Sequence, residues 1–395
     1  MASLIFRKGL DMKHAVAGVL AENYHSSLIE QIKAEDFVYR AGRLTIHLAR
    51  EFGFCYGVDR AVDYAYQTRQ RFPDRAVSLT GEIIHNPHVN AKLRSMGIGF
   101  LSDDPSAIDR LSANDVVILP AFGVTMAMLQ QLERRGCTLI DTTCGSVLNV
   151  WKNVRRYCEG GYTSIIHGKA WHEETQATAS QAVEYGGRYL VVFNHEDAQI
   201  VCDYIRQGGS RDAFLARFST AISDGFEPDR DLCRVGLANQ TTMLMTESLE
   251  IGEMLKAAML ARYGESALAE HFQAFDTICS ATQDRQDAVV ALLEQRMVDA
   301  MIVIGGYNSS NTCNLARICA GSRPTFHIAD PGCLLSPRKI RHRPVGGGAE
   351  MTTDGWLPES GPVSIGLTSG ASTPDNLVGA AIDRIAEFAT TPQNG

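Results

Sequence analysis

The sequence lacks several features that would place the protein in a specialised class. It has no net basic charge, since 37 Lys and Arg residues face 45 Asp and Glu residues and the formal charge is −8; this argues against a protein built mainly to hold nucleic acid. No apolar run approaches the ~18 residues that a membrane-spanning helix needs, and the longest, such as 300–305, have the length of a strand. Residues 1–14 show neither the apolar stretch nor the cleavage site of a signal peptide.

Cysteines are also sparse. Ten cysteines in 395 residues are too few for a disulfide scaffold, and with no signal peptide in view they predict a reducing compartment. We expect the cytoplasm, with a plastid or another organelle left open. No two cysteines have C-x-x-C spacing, so neither a zinc ribbon nor a ferredoxin-type cluster is encoded locally. Any metal site must combine cysteines that are distant in the sequence.

From residue 44 onward, short apolar runs alternate with helical stretches, and this pattern predicts an α/β fold with parallel sheets. The predicted strands include Leu44–Leu48, Asp115–Leu119, Tyr189–Phe193, Met301–Ile304 and Val363–Leu367. The predicted helices include Val58–Arg71, Val147–Tyr157, Ser248–Arg262, Gln283–Gln295 and Pro374–Glu387. Residues 1–43 form an extension with a short helix at Ser26–Lys33, and the segments 208–231 and 334–362, rich in Gly, Pro and charge, are expected to be inserted surface loops.

A threefold repeat is hidden in this pattern. Cys55, Cys144 and Cys279 each follow a strand-like run and precede a helix that contains basic residues. In each repeat a polar cluster follows the next strand. The cluster residue comes 30, 28 and 30 residues after the cysteine in the three repeats, and a third turn comes later. The polar clusters contain His85, His172 and Ser309, and the third turns contain Phe122, Thr241 and Ser372.

The repeat predicts a metal site, because functional groups collect at the carboxyl ends of parallel strands. Three thiolates around one centre suit an iron–sulfur cluster with one iron that has no protein ligand. Two alternatives remain: ordinary buried cysteines, and zinc on three cysteines and one histidine. The remaining cysteines lack this setting and are expected to be structural; they are Cys137, Cys158, Cys202, Cys233, Cys313, Cys319 and Cys333.

The polar clusters can be read in two ways. Asn86 could cap a helix beside an incidental His85, Ser310 or Asn311 could cap the next helix, and Glu174 could only complement a helix dipole. Residues 372–375 similarly resemble a capping box. Three such clusters at strand ends instead predict a pocket for phosphate oxygens, and the same helix end can serve both purposes.

At these positions the sequence resembles the 4-hydroxy-3-methylbut-2-enyl diphosphate reductases, the LytB/IspH family. The resemblance covers roughly residues 44–388, and residues 26–43, 119–123 and 356–358 are similar to the longer plant and cyanobacterial branch. The matching stretches are Gly53–Arg60, Glu82–Asn86, Asp141–Cys144, His172–Glu174, Asn239–Thr242, Ile278–Gln286, Asn308–Asn311 and Thr368–Ser372.

The resemblance implies three pseudo-equivalent α/β domains around one 4Fe–4S cluster on Cys55, Cys144 and Cys279. Their expected boundaries are 57–144, 145–278, and 279–388 together with 44–56. It also implies a reductive loss of water that yields isopentenyl and dimethylallyl diphosphate, with Glu174 as proton source and Thr241 placing the substrate hydroxyl. The implied diphosphate contacts are His85, His172, Ser309, Ser310, Asn311 and Ser372.

Two positions depart from the family pattern. Many bacterial members have a diphosphate-binding histidine at the position of Phe122, so this chain is expected to make one contact fewer. The family usually has proline after the second cluster cysteine, where this chain has Gly145, which permits more backbone freedom near Cys144.

The source of the electrons, the role of one basic run and the type of function each have more than one interpretation. No Gly-x-Gly-x-x-Gly fingerprint follows a strand, so an external carrier such as ferredoxin or flavodoxin is expected. The basic run Arg338–Arg343 is interpreted as a solvated loop, with docking of that acidic carrier as the alternative. An iron–sulfur hydratase, which needs no electrons, and a redox or iron sensor are the competing functions.

Overall fold

The computed structural model describes residues 4–275 and 277–390. Residues 1–3 of the expected extension, and Asp276 in the run before Cys279, lie outside the described residues. The chain divides into two compact units. The first consists of Met1–Arg7 with Leu101–Cys279, and the second of Lys8–Phe100 with Ser280–Gly395.

Strands and helices alternate along most of the chain. The strands are β1 (Ile5–Phe6), β2 (Val38–Ala41), β3 (Leu44–Leu48), β4 (Val77–Leu79), β5 (Ile98–Phe100), β6 (Val116–Leu119), β7 (Thr138–Asp141), β8 (Thr163–His167), β9 (Tyr189–Val192), β10 (Val235–Asn239), β11 (Phe272–Ala274), β12 (Ala300–Ile304), β13 (Thr325–Ile328), β14 (Lys339–His342), β15 (Met351–Asp354) and β16 (Val363–Ser369). The helices are α1 (Lys13–Tyr24), α2 (Ser27–Ala34), α3 (Tyr56–Arg71), α4 (Pro87–Ser95), α5 (Ala107–Arg110), α6 (Met126–Arg135), α7 (Gly145–Glu159), α8 (Glu173–Glu184), α9 (His195–Gln207), α10 (Arg211–Arg217), α11 (Pro228–Asp231), α12 (Met245–Tyr263), α13 (Leu268–His271), α14 (Ser280–Gln295), α15 (Ser310–Ala320) and α16 (Asp375–Thr390).

The first unit contains two groups of parallel strands. In one, β7 lies between β1 and β6; in the other, the order is β11-β10-β8-β9. Every residue of β8 and β10 is buried, as expected for parallel strands covered on both faces. A core of this unit packs β8, β9 and β10 against α9 and α12.

The second unit contains a sheet in the order β13-β12-β16-β3-β2. Its strands are parallel except β2, which pairs antiparallel with β3. Strands β4 and β5 form a parallel pair, and β14 and β15 form an antiparallel hairpin. The predicted α/β fold with parallel sheets is therefore confirmed, whereas the three domain boundaries stay a prediction.

Both predicted surface loops were wrong. Segment 208–231 contains α10 and α11, and Phe214, Phe218 and Phe226 are buried in the core of the first unit. Segment 334–362 contains the β14–β15 hairpin, and Ile340 and Trp356 are buried in the core of the second unit. The physical reason is that a few well-spaced large apolar side chains anchor each segment, although its average composition is polar.

From Lys8 onward, the N-terminal extension belongs to the second unit. Helix α2 confirms the predicted helix, and its Lys33 forms an ion pair with Asp375, the first residue of α16, at 3.0 Å. The Gln67 side chain on α3 accepts hydrogen bonds from the N–H groups of Leu10 and Met12. The extension therefore stabilises α3 and α16.

Two buried histidines should make stability depend on pH. Burial lowers the pKa of His167 to about 4 and that of His327 to about 4. An unfolded chain takes up these protons near pH 6.5, so between about pH 6.5 and pH 4 the free energy of unfolding falls as pH falls. We expect His167→Gln to remove about 1.4 kcal/mol per pH unit of that dependence, measured by urea unfolding at several pH values. The same change at the exposed His14 is the control, and an unaltered slope in His167→Gln would contradict the prediction.

Candidate functional site

The three repeated cysteines have equivalent backbone partners. The N–H of Cys55 donates to the carbonyl oxygen of Ala371 at 3.1 Å, and that of Cys144 donates to Ala121 at 2.8 Å. The N–H of Cys279 donates to the carbonyl oxygen of Thr241 at 3.3 Å. In each case the acceptor lies in the third turn of a repeat, because the strand before the cysteine is parallel to the strand before that turn.

Each of these cysteines also stands at the start of a helix. Cys55 occupies the N-cap position of α3, Cys144 occupies that of α7, and Cys279 directly precedes α14. All three are partly exposed. Helix N-termini favour negative charge, so three thiolates in these positions suit a metal–sulfur group. The position of each cysteine is compatible with a thiolate ligand, and the joint binding of one metal group by all three stays a prediction.

Four of the other seven cysteines have a different environment. Cys137, Cys202, Cys319 and Cys333 are buried. Burial raises the pKa of the Cys202 thiol to about 11 and that of Cys319 to about 12. Both therefore remain protonated near neutral pH, whereas a metal ligand must be a thiolate.

In the first unit, hydrogen bonds link four of the predicted site residues in a row. Glu174 is only 3% exposed, and its Oε1 accepts a hydrogen bond from the N–H of Thr241 at 2.6 Å. The carbonyl oxygen of Thr241 accepts from Cys279. His172 caps α8, and its Nδ1 accepts from the N–H of Glu174 at 3.2 Å. These contacts bring the proposed acid, the proposed hydroxyl-binding residue and one cysteine to the same strand ends.

Gln240, to which the sequence analysis gave no role, holds this arrangement together. Its Oε1 accepts from the N–H of Lys169 and from Thr175 Oγ1, both at 3.1 Å. Its Nε2 donates to Thr242 Oγ1 at 2.9 Å. The side chain is 1% exposed and joins the turn after β8 to the turn after β10. A buried glutamine at a strand end, next to Thr241, was the available sequence clue.

The Phe122 ring packs against His172. The ring centroids are 6.2 Å apart with a T-shaped geometry. Phe122 thus gives His172 an aromatic neighbour, where a histidine could have offered a hydrogen-bond donor.

Gly145 does not loosen the start of α7. The N–H of Cys144 binds Ala121, and the carbonyl oxygen of Cys144 accepts from Leu148 at 3.0 Å. The space where a Gly145 side chain would begin is open. The backbone is therefore fixed on both sides of Cys144 without a proline.

In the second unit, the turns after β12 and β16 meet. Asn311 Oδ1 accepts from the N–H of Ala371 at 2.9 Å, and Ala371 also accepts from Cys55. Among the described residues Asn311 Nδ2 is buried without a hydrogen-bond partner. A buried donor of this kind is costly unless a ligand satisfies it, which fits a site for phosphate oxygens.

His85 and Ser372 are joined to the same turns. Ser372 Oγ donates to the carbonyl oxygen of His85 at 3.3 Å, and Asn86 Nδ2 donates to the carbonyl oxygen of Ser372 at 2.8 Å. His85 Nδ1 lies 2.9 Å from Glu82 Oε2. In the second unit, these hydrogen bonds join the turns that contain His85, Ser372 and Cys55 to Asn311 on α15.

The capping interpretation holds in part. Asn86 caps α4 through Val89, as expected. The cap of α15 is Ser309, which accepts from the N–H of Thr312 at 3.3 Å, so neither Ser310 nor Asn311 has that task. Both lie in the first turn of the helix and are buried.

The basic run Arg338–Arg343 is mostly the strand β14, so the predicted solvated loop was wrong. Ile340 and His342 are buried. Three cations of the run have acidic neighbours: Arg338 with Glu359 at 2.9 Å, Lys339 with Asp354 at 3.9 Å, and Arg341 with Glu350 at 3.7 Å. Docking of a carrier on this run stays a prediction, with much of the charge already balanced.

Comparisons with known proteins agree with this geometry. A sequence model described as LytB protein matches residues 46–386. The 4-hydroxy-3-methylbut-2-enyl diphosphate reductase of Gloeobacter violaceus is 49% identical over 397 residues, covering 99% of this chain and 94% of the relative. The enzyme of that name from Crocosphaera subtropica is 49% identical and covers 96% of this chain and 94% of its own length.

Solved structures show the same likeness. A structure of (E)-4-hydroxy-3-methyl-but-2-enyl diphosphate reductase, described as the terminal enzyme of the non-mevalonate pathway, is 26% identical with a TM-score of 0.53, and the match covers 87% of this chain and 99% of that one. The E-1-hydroxy-2-methyl-but-2-enyl-4-diphosphate reductase from Plasmodium falciparum has a TM-score of 0.63 and is 21% identical over 88% of each chain. This second likeness concerns the fold alone.

Gln240 should contribute measurably to stability. Gln240→Ala would leave the N–H of Lys169 and two hydroxyl groups without their present partner, at a cost of about 1 to 3 kcal/mol in the free energy of unfolding. Urea unfolding measures this loss. The exposed Gln130, which contacts Glu184, offers the matched control, and Gln130→Ala should change stability by less than about 0.5 kcal/mol. Equal effects of the two substitutions would contradict this role.

Proposed function

The chain belongs to the LytB protein family, and on that premise we propose how it catalyses the reductive dehydroxylation of 4-hydroxy-3-methylbut-2-enyl diphosphate. The allylic alcohol takes up two electrons and two protons; its C–O bond breaks, and the products are water and isopentenyl or dimethylallyl diphosphate. The observation that carries the site assignment is the contact of Glu174 with Thr241, whose carbonyl oxygen accepts from Cys279. This reaction is the last step of the non-mevalonate isoprenoid pathway.

The proposed cofactor is one 4Fe–4S cluster on Cys55, Cys144 and Cys279. The donor set fits, because each thiol is partly exposed at the start of a helix and each backbone N–H is already fixed by a neighbouring turn. When bound, the cluster supplies the electrons one at a time and an iron, without a protein ligand, that acts as a Lewis acid toward the allylic oxygen.

Glu174 holds the proton for the reaction. Its Oε1 accepts the Thr241 N–H, and this bond orients the carboxyl group at the turn after β10, where it holds and delivers the proton. Burial of a carboxyl group in general favours the protonated form that such a role needs. The Thr241 side chain, on the same turn, orients the hydroxyl of the substrate.

The diphosphate is bound without Lys or Arg side chains in the proposed contact set. Ser309, Ser310 and Asn311 surround the N-terminus of α15, where backbone N–H groups attract anions. Ser372 and His85 are joined to this turn, and Asn311 Nδ2 provides a buried donor. The proposed contact set also includes His172, which caps α8. Hydroxyls, amides and imidazoles distribute the diphosphate charge over many short contacts.

We further propose ferredoxin or flavodoxin as the electron donor, since single electrons must enter from outside and the sequence shows no nucleotide-binding fingerprint. None of the ten cysteines, all of which lie in the described part of the chain, forms a disulfide, which suits a reducing compartment such as the cytoplasm. In the part of the chain that the structure describes, no helix has both the length and the apolar character to cross a membrane.

The cysteine assignment gives a direct test of the function. The protein purified without oxygen should show Fe–S absorbance near ~400 nm and should convert the substrate with reduced ferredoxin or flavodoxin. Changing Cys55, Cys144 or Cys279 to Ser should each remove the colour and most of the iron, because a serine hydroxyl replaces the thiolate ligand. Absorbance and iron analysis measure the result.

The remaining cysteines serve as controls. Cys202→Ala and Cys319→Ala should keep the colour, since both thiols are buried in cores. A colourless wild type that contains zinc would refute the cluster, and a coloured wild type without reductase turnover would favour the sensor or hydratase alternatives. Full iron content in all three serine variants would refute the ligand assignment.

Glu174→Gln should impair the chemical step and spare binding. Glutamine keeps the shape and can still accept from the Thr241 N–H, but it cannot deliver a proton. General acid catalysis typically contributes ~10²- to 10⁴-fold, so kcat should fall by about that factor while iron content is unchanged. Steady-state kinetics with a chemical reductant measures this.

His172→Ala is the informative comparison, because loss of a diphosphate contact should raise KM as well as lower kcat. If Glu174→Gln keeps kcat within a few-fold of the wild type, the proton comes from another source, such as the substrate's own phosphate.

A further inference from the structure

The turn that leads into the proposed diphosphate site is held by a segment with no assigned role. This turn, residues 305–309, joins β12 to α15 and ends at Ser309, the cap of α15. The segment is 334–362, which includes the β14–β15 hairpin. The turn and the segment contact each other around Tyr307.

Arg343 fixes the main chain of the turn. Its Nη1 donates to the carbonyl oxygen of Tyr307 at 2.8 Å, and its Nε donates to that of Gly348 at 3.1 Å. Its own N–H donates to the carbonyl oxygen of His327 on β13 at 2.9 Å. The guanidinium group therefore ties the turn to the hairpin segment from a position that is itself anchored to the sheet.

Tyr307 is held at three further points. Its hydroxyl donates to Glu350 Oε1 at 2.8 Å, and burial together with that carboxylate raises the pKa of Tyr307, so the hydroxyl keeps its proton. Its ring makes a T-shaped contact with His327 at 5.0 Å. Cys313 Sγ, on α15, donates to the Tyr307 carbonyl oxygen at 3.4 Å.

The turn needs such support because it begins with two glycines. Gly305 has φ 149°, and a side chain there would lie 2.6 Å from Thr373 Oγ1. Gly306 lies directly against the carbonyl oxygen of His85. Glycines permit this close approach but leave the chain more conformational freedom than other residues do, and Ser309 follows only three residues later.

We propose that Arg343 and Glu350 act as a clamp on Tyr307 that positions Ser309, Ser310 and Asn311 for the diphosphate. The inference rests on the proposed function and names positioning residues for it. A cleft of about 300 Å³ agrees with this, since His85, Tyr307, Arg343 and Glu350 all line it.

The test compares Arg343→Ala with Arg343→Lys and with Arg338→Ala. Arg338 lies beside the same hairpin and contacts Glu359 with its side chain 66% exposed, so it is the matched control. We expect Arg343→Ala to raise KM by about 10-fold and to weaken competitive inhibition by inorganic pyrophosphate by the same factor, the usual effect of losing one charge-assisted hydrogen bond. Iron content should stay at the wild-type level, and kcat should change by less than about 3-fold.

Arg343→Lys separates positioning from charge. Lysine keeps the positive charge but cannot reach both carbonyl oxygens in the planar geometry of arginine, so it should resemble the alanine variant. Full recovery by lysine would overturn the clamp, because charge alone would then explain the effect. Unchanged KM and pyrophosphate inhibition in Arg343→Ala would overturn it as well.

Tyr307→Phe tests the clamp independently if Arg343→Ala does not fold. It removes the hydroxyl contact with Glu350 and keeps the ring and the main-chain contacts, so KM and the pyrophosphate inhibition constant should rise together by about 3-fold; no rise would overturn the clamp. Failure of the proposed function looks different, since the wild type itself would then not reduce the substrate.

Discussion

A hydrogen bond from the N–H of each repeated cysteine to the turn beside it is the constraint on which the candidate site depends. Parallel strands bring their carboxyl ends to one edge, and the bonds of Cys55, Cys144 and Cys279 fix the start of the next helix against the neighbouring turn. The same turns contact Glu174 through Thr241 in the first unit and Asn311 through Ala371 in the second. One backbone pattern, used three times, thus holds the proposed cluster ligands, and its turns contact the proposed proton donor and anion-binding groups.

This pattern explains how much could be predicted from the sequence. The strands β3, β12 and β16 and the helices α3, α7 and α14 follow from period and composition, because buried parallel strands are nearly continuous apolar runs between polar turns. The spacing of the cysteines then indicated the repeat. Family resemblance added the identity of the cluster and the roles of individual residues, which spacing alone left open between iron, zinc and ordinary buried thiols.

What could not be predicted depends on single side chains. Phe214 and Trp356 anchor segments of polar average composition in the hydrophobic cores. An average of hydrophobicity over a sequence window does not reveal such single anchoring residues. Gln240 holds two turns together through contacts that join residues about 70 positions apart. Ser309 rather than Ser310 caps α15. Both residues are serines, so the residue preference at the N-cap could not distinguish them, and the exact helix start depends on the local backbone.

The segment 334–362 is polar on average, yet it is packed against the rest of the second unit. Ordering a segment of this length costs conformational entropy, which favourable contacts must offset. Its buried residues Ile340 and Trp356 provide the anchoring in the core of the second unit. Once anchored, the segment presents Arg343 and Glu350 to a turn that begins with two glycines. The position of Ser309 is then fixed by contacts outside the strand–turn–helix unit to which it belongs.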